Sequence, residues 1–432
     1  MLVGLILFIV LFVLYDVSLH PPTKYLLVID CGLRTSKFSL FEYSDFYGRS
    51  NAWVRQRSYS TISPGISSFA DNSTAGAEAI LQEANAVITG GVPPGCRKNT
   101  RIFLGAVAGV RMLEKTNAEK AQALVEAVRS TLAGSASEGV VVNRMEDVGV
   151  VSGADQGFYA WLAVNYLMGN FGEGEMNKIA FGHSYNLYSY SHLCYGVATI
   201  RDRYLARLTQ GSDLQNAVAS PCHPRGLKME VAPDDIFQAP CVTSVGEDIM
   251  GPSITKPPGA PPNIVFEGDY NSMRCGQAID EIFKEGSFAT YHRPSLRGDF
   301  AAINKVWEIV NSFITVGTSG AVTLTKFSAE IDKFCGEKWV AGSPKDKCLQ
   351  GWMVKGLLEA YGFKSDSGWS TVTFLGNASE TMASWATGYA LDATARIPST
   401  APAIRMNQDL NIRPVKFVLH ELSIITKNLC EK

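Results

Sequence analysis

Two short stretches of this sequence carry residues that could act on phosphate. In "VIDCGLRTSKFSLFEY", Val28 to Tyr43, an acid ends an apolar run and a glycine follows two residues later. Gly32 lets backbone N–H groups approach an anion, and Asp30 can fix a metal-bound water. A strand–turn–strand hairpin without a ligand fits the same residues. In "VVSGADQGFYAWLAVNYLMGNF", Val150 to Phe171, Asp155 and Gln156 precede Gly157 at the mouth of an apolar helix. A carboxylate there could take a proton from water, but the Gln156 amide is no general base at neutral pH. The stretch reads as a plain capping turn or as a catalytic loop with one residue changed.

The surrounding elements alternate. Tyr25–Asp30 and Lys37–Tyr43 read as strands, and Thr100–Leu113 as a buried strand followed by a Gly-bearing turn. Asn117 can cap a helix that Gly134 ends, with Ala118, Ala121, Leu124, Val125 and Val128 on one face. Gly139–Met145 reads as a short strand, and 251–268 as a Pro-rich loop. Helices return from Phe300 onward, among them Ala301–Ile314. Ser370–Gly376 reads as a strand and Ala383–Pro398 as a helix stopped by proline. Strands alternating with helices predict an α/β fold.

The 432 residues suggest about two or three domains at ~150 residues each. A 46% apolar and 19% charged composition is globular. A net charge of −2 with no basic block argues against nucleic acid as a partner. "MLVGLILFIVLFVLY" opens the chain without a charge, short of the ~20 residues of a spanning helix but extendable through Leu19. It lacks a basic n-region and a small-residue cleavage site, so it reads as an uncleaved signal-anchor, with a cleaved signal as the alternative. The expected location is a membrane, single-pass, with the folded part extracellular or lumenal. Nine cysteines and the sequons at Asn72 and Asn377 agree with that compartment. No Cys/His zinc spacing is present.

Five stretches in order, "FLGAVAGVRML", "GADQGFYAWLAVNYLMGNF", "YNLYSYSHLCYG", "GDFAAINKVW" and "SWATGYALDAT", resemble the nucleoside triphosphate diphosphohydrolase, or apyrase, family in its cell-surface branch. The resemblance runs from Lys24 to Pro402. It implies two actin-like (ribonuclease-H-like) domains with the nucleotide between them. The implied reaction is Ca2+- or Mg2+-assisted hydrolysis of nucleoside tri- and diphosphates by water. It also implies a division: 1–20 a signal or anchor segment, 22–150 with 386–402 the first domain, 151–385 the second, and 403–432 a tail.

The family's phosphate-loop residues fall on Asp30, Gly32, Ala108 and Gly109, with Asp30 also implied as a metal ligand through water. Leu33 and Arg34 stand where the family has two serines, and Val107 where it has threonine. Arg34 could meet phosphate as a charge, though not as a short hydroxyl does. The family's general-base Glu falls on Gln156. General-base assistance is worth roughly 10²–10⁴-fold, yet a Gln can still orient a water. Asn304 takes a family serine position. Trp307 takes that of a base-stacking tyrosine, although apolar packing is the commoner fate of such a ring. The family's DLGG segment is missing: "NFGEGEMNKIAFGHSYN" connects its neighbours directly. The second domain is therefore expected to lack its first strands and its phosphate loop.

By family position Cys194 pairs with Cys241, Cys222 with Cys275, and Cys335 with Cys348, leaving Cys31, Cys96 and Cys430 over. Counting these departures, the resemblance implies a membrane-associated extracellular or lumenal apyrase-family protein with strongly reduced or no hydrolysis. Two readings stand beside it: a catalytically dead binding or scaffolding protein, and an active diphosphohydrolase lacking one segment through an incomplete gene model. Gln156 argues against the latter, because a missing segment does not alter a residue outside it. Oligomeric state is left open.

Overall fold

The computed structural model describes residues 23–44, 54–134, 147–170, 187, 189–291, 298–378, 381–396 and 417–419, with backbone only for 44, 377–378, 395–396 and 417–419. The first sheet contains β1 (Thr23–Cys31), β2 (Ser36–Ser44), β3 (Val54–Ile62), β4 (Arg101–Ala106) and β5 (Val148–Val150) in the order β3-β2-β1-β4-β5. β1 to β3 form an antiparallel meander, and β4 and β5 add in parallel.

Both faces of this sheet are covered, which is why β1 reads as a continuous apolar run. Tyr25, Leu27 and Ile29 face Ile80 of α1 (Ser73–Gly91) and Leu124 and Val128 of α3 (Ala118–Gly134). α2 (Ala108–Thr116) lies between them in the chain. On the other face Leu26 and Val28 meet Trp161 of α4 (Gly153–Leu167) and Trp385 and Ala390 of α10 (Trp385–Arg396).

α5 (Val197–Thr209) opens the second half of the chain. β6 (Val218–Ser220), β7 (Lys228–Val231) and β8 (Ile264–Gly268) form a sheet in the order β6-β8-β7, followed by α6 (Ser272–Phe283). The second large sheet comprises β9 (Phe300–Ile303), β10 (Ser319–Gly320), β11 (Val372–Leu375) and β14 (Phe417–Leu419) in the order β10-β11-β9-β14. α7 (Lys305–Phe313), α8 (Leu324–Gly336) and α9 (Lys347–Tyr361) surround it. β12 (Asn377–Ala378) and β13 (Thr381–Met382) form a small hairpin. Among the described residues the second sheet has no antiparallel meander preceding β9. Where the first sheet sets β1 parallel beside β4, the second sets β14 parallel beside β9.

Several sequence expectations shift. Asn117 caps α3 through Lys120 N–H at 3.0 Å, as expected, but Ala118 is exposed, because it lies in the first turn away from the core. The turn after β4 is the start of α2. Residues 301–303 are strand rather than helix: all four residues of β9 are buried between parallel neighbours. The 251–268 stretch ends in β8, whose Ile264 and Phe266 fill the core. Gly139–Met145 and the 1–20 segment lie outside the described residues. Among the described residues no helix is long and apolar enough to cross a membrane.

The three expected disulfides are present: Cys194–Cys241, Cys222–Cys275 and Cys335–Cys348. Cys96, expected to be left over, is itself disulfide-bonded. Cys31 is free and buried within β1, and burial pushes its thiol pKa up.

Candidate functional site

A cavity of about 510 Å³ opens between the two large sheets. Asp30, Gly32, Leu33, Arg34 and Thr35 come from the β1–β2 loop, Val107 and Ala108 from the β4–α2 junction, and Gln156 and Gly157 from α4. Four helices reach it at their first turns: α2 through Ala108, α4 through Gly153, α5 through Val197 and α7 through Lys305. Each helix start presents N–H groups and partial positive charge. Among the described lining residues, Arg34, Lys37, Arg111 and Lys305 add four cations against one acid, Asp30. This arrangement suits a polyanion.

Glycines bring the loops together. The Gly32 N–H donates to the Thr35 carbonyl at 3.0 Å and tightens the first loop. A Cβ on Gly109 would stand 2.6 Å from Ser67 Oγ and 2.9 Å from Leu33 Cα. Only a glycine lets the α2 start approach the β1–β2 loop this closely.

Gln156 is buried, and its Oε1 accepts from Arg111 Nη2 at 2.8 Å. The same Nη2 reaches Ser191 Oγ at 3.3 Å. Asp155 points away: its Oδ2 accepts from Ser152 Oγ at 2.6 Å, and it lines a separate cavity of about 340 Å³ beside Arg101, Asp147 and Trp385. Ser152 Oγ also accepts from the Asp155 N–H at 3.0 Å, so this pair caps α4.

Arg34 lines the cleft, but Nη2 is bound to Asp202 Oδ2 of α5 at 2.8 Å. Burial pushes the Asp202 carboxyl up, and Arg34 and Arg201 pull against it. Trp307 is not among the residues that line this cavity. Its indole nitrogen donates to the Gly317 carbonyl at 3.1 Å, and a Cβ on Gly376 would lie 2.2 Å from its ring. Packing on Gly376 and a backbone partner fix its ring.

Sequence reasoning missed two features. Arg111, in "AVAGVR", is the cation that fixes Gln156. The second is an aromatic wall from "SYSHLCYG" and distant helices: His192 lies 4.7 Å from Tyr190 and 4.5 Å from Phe288, itself 5.2 Å from Tyr361. The run of Tyr and His in the sequence is the signal, but Phe288 and Tyr361 are joined to it only by folding. Among the described residues two non-glycine residues have left-handed backbone: Cys194 (φ 74°), which lines this cleft, and Asn304 (φ 54°), which precedes the lining Lys305.

Among the described residues no group of three or more His, Cys, Asp or Glu could hold a metal ion. Among the described residues that line the cleft, Asp30 is the one acid, beside four cations. Such a donor set does not make a resident metal site, since Ca2+ and Mg2+ take carboxylate and carbonyl oxygens.

The profile of the GDA1/CD39 (nucleoside phosphatase) family matches residues 17–182 and 174–408. The chain belongs to this family. Among curated relatives, ectonucleoside triphosphate diphosphohydrolase 8 of Bos taurus is 28% identical over 453 residues, covering 90% of this chain and 86% of the relative. Ectonucleoside triphosphate diphosphohydrolase 2 of Homo sapiens is 25% identical over 467 residues, covering 95% and 90%. Among solved structures, a nucleoside triphosphate hydrolase of Neospora caninum superposes with a TM-score of 0.60 at 13% identity, covering 87% of this chain and 93% of that one. That likeness carries the two-domain actin-like fold of the family onto this chain. The two matched segments meet between α4 and α5, where the sequence lacks the DLGG stretch.

Proposed function

We propose that the cleft of this GDA1/CD39 family member binds nucleoside di- and triphosphates and hydrolyses them very slowly or not at all. The observation that carries this reading is the Arg111–Gln156 hydrogen bond of 2.8 Å: the general-base position holds an amide fixed on a guanidinium. The four helix starts and the cations of the wall support binding of the phosphate chain. The rings of Tyr190, His192, Phe288 and Tyr361 offer faces for the base.

In this reading the Gly32 and Gly109 loops bring backbone N–H groups to the phosphates, and Arg111 adds charge. The Gln156 amide can hold a water but cannot take its proton. Any divalent ion would arrive on the nucleotide's phosphates, with Asp30 reaching it through water. Asp202 binds Arg34 where the family has a serine that binds phosphate. The 22–150 and 386–402 segments form the first domain in this reading, supported by α10 packing on the first sheet. The apolar 1–20 segment and the disulfides support a folded part outside the cytosol, attached to a membrane, with glycans on Asn72 and Asn377.

The test is calorimetric titration of ADP beside a phosphate-release assay on the same chain. Binding without turnover is expected. Absence of binding at millimolar ADP overturns the reading.

A further inference from the structure

Arg34 lines the cleft beside the first sheet, and Asp202 stands on α5, whose first turn also lines it. Arg34 follows β1 of the first sheet, and Asp202 sits one turn into α5. Their 2.8 Å ion pair therefore ties the phosphate loop to the second half of the molecule.

The two ends differ. The Arg34 side chain is 58% exposed, whereas that of Asp202 is 7% exposed. Asp202 has a second partner, since Arg201 Nη1 lies 3.3 Å from its other oxygen. Arg201 is itself held by Asp346 Oδ2 at 3.1 Å, and Asp346 Oδ1 stands 3.4 Å from Nε2 of the fully buried His223. Loss of Arg34 would thus leave no orphaned charge behind. Asp202 keeps Arg201, and Arg34 is already half in water. A buried pair is costly to break when one partner is stranded. Here neither is stranded, so the contact can open cheaply. Arg34 faces the cavity together with Lys37, Arg111 and Lys305. A polyphosphate chain offers it more charge than a shared carboxylate does, in bidentate geometry.

We propose that the Arg34–Asp202 ion pair is a latch between the β1–β2 loop and α5 that opens when a polyphosphate anion takes Arg34 from Asp202. This rests on the cleft binding polyphosphate, as proposed above. The latch makes ligand binding loosen a tie between that loop and α5, so a chain with little or no turnover could still signal occupancy through its shape.

The experiment is a double-mutant cycle on the full chain, read as pyrophosphate affinity by calorimetry in metal-free buffer. Asp202→Asn frees Arg34 and should tighten binding about 2- to 5-fold, the range of a partly exposed ion pair. Arg34→Ser should weaken it. Asp202→Asn added to Arg34→Ser should change nothing, because no latch remains to open. Equal tightening in both backgrounds would mean only that a negative charge had gone from near the cleft, and would overturn the latch. Unchanged affinity in Arg34→Ser, at an exposed residue, overturns it by itself even should the Asp202 variant not fold. Wild-type chain that binds no pyrophosphate removes the polyphosphate site and the latch together. Wild-type binding with no response to either variant removes the latch alone.

Discussion

Arg111 Nη2 donates to Gln156 Oε1 at 2.8 Å, so the residue proposed here to stand at the family's general-base position is bound to a cation. Hydrolysis of ATP and ADP with Ca2+ or Mg2+ should therefore run at least 10²-fold below an active relative, the low end of the ~10²–10⁴-fold that a general base supplies. Gln156→Glu should restore little. Arg111 would hold the new carboxylate ionised but weakly basic, and Leu33, Val107 and the missing DLGG segment remain unrepaired. Phosphate release by wild type and variant decides it. Turnover of wild type at ordinary enzyme rates, ~1–10³ s⁻¹, would show that another group takes the proton.

Two neighbouring carboxyls on the Arg34–His223 network should respond to pH with opposite signs. Burial raises the Asp346 carboxyl, but the hydrogen bond from His223 and the charge of Arg201 outweigh it, and the net direction is down. Its contribution to stability is present above the unfolded value, ~3.9, and lost as pH falls through the lower folded value. Asp202 is shifted up by burial, so its contribution is complete below that unfolded value and lost as pH rises through the folded one. Urea midpoints from about pH 3 to 7 should show Asp346→Asn losing most relative to wild type at the neutral end. Asp202→Asn should do comparatively better as pH rises. Parallel curves for the two variants would contradict the assignment.

α4 carries Gln156, and its crossing with α10 sets where that residue stands. A Cβ on Gly388 would lie 1.7 Å from the Tyr159 carbonyl oxygen, a backbone atom that cannot turn aside. Gly388→Ala should therefore cost about 3 kcal/mol or more, at or above the top of the usual overpacking range. Gly90→Ala, with nothing within 4 Å, should be neutral or stabilise by up to about 1 kcal/mol. Denaturant unfolding of both variants checks this. The Gly388 variant should also bind ADP more weakly if the α4 start is part of the site.

Local pattern and family resemblance showed different parts of this molecule. The continuous apolar run of β1 was legible because both its faces are buried, and so was the cap at Asn117. Asp30, Gly32, Ala108, Gly109 and Gln156 were legible as one constellation, and the structure brings all but Gly109 onto a single cavity wall, with Gly109 directly behind it. What sequence could not show were pairings over long separation. Arg34 meets Asp202 across 168 residues, and Arg111 meets Gln156 across 45. The packing of Trp307 on Gly376 and its bond to the Gly317 carbonyl were not legible either, since a motif position does not show which distant backbone a ring meets. β14 beside β9 was invisible, since a three-residue strand has no period to read.

The cysteines give the last prediction. Three disulfides account for six of the nine cysteines, and Cys96 is bonded as well. Cys31 is free, in the middle of the first sheet, 0% exposed. By count the cysteine still unassigned is Cys430, so non-reducing peptide mapping should join it to Cys96. One thiol per chain should then react in denaturant, and that thiol should be Cys31. In the native protein it should not react, since the thiolate is the nucleophile and burial both raises the Cys31 pKa and bars the reagent. Each bridge closes a loop of the unfolded chain and is worth about 2–4 kcal/mol. Reduction should therefore lower the unfolding midpoint, with Cys194–Cys241 contributing more than Cys335–Cys348 because it spans 47 residues rather than 13. A count of two or three denatured thiols, with Cys96 among them, would place Cys96 with the unpaired cysteines after all.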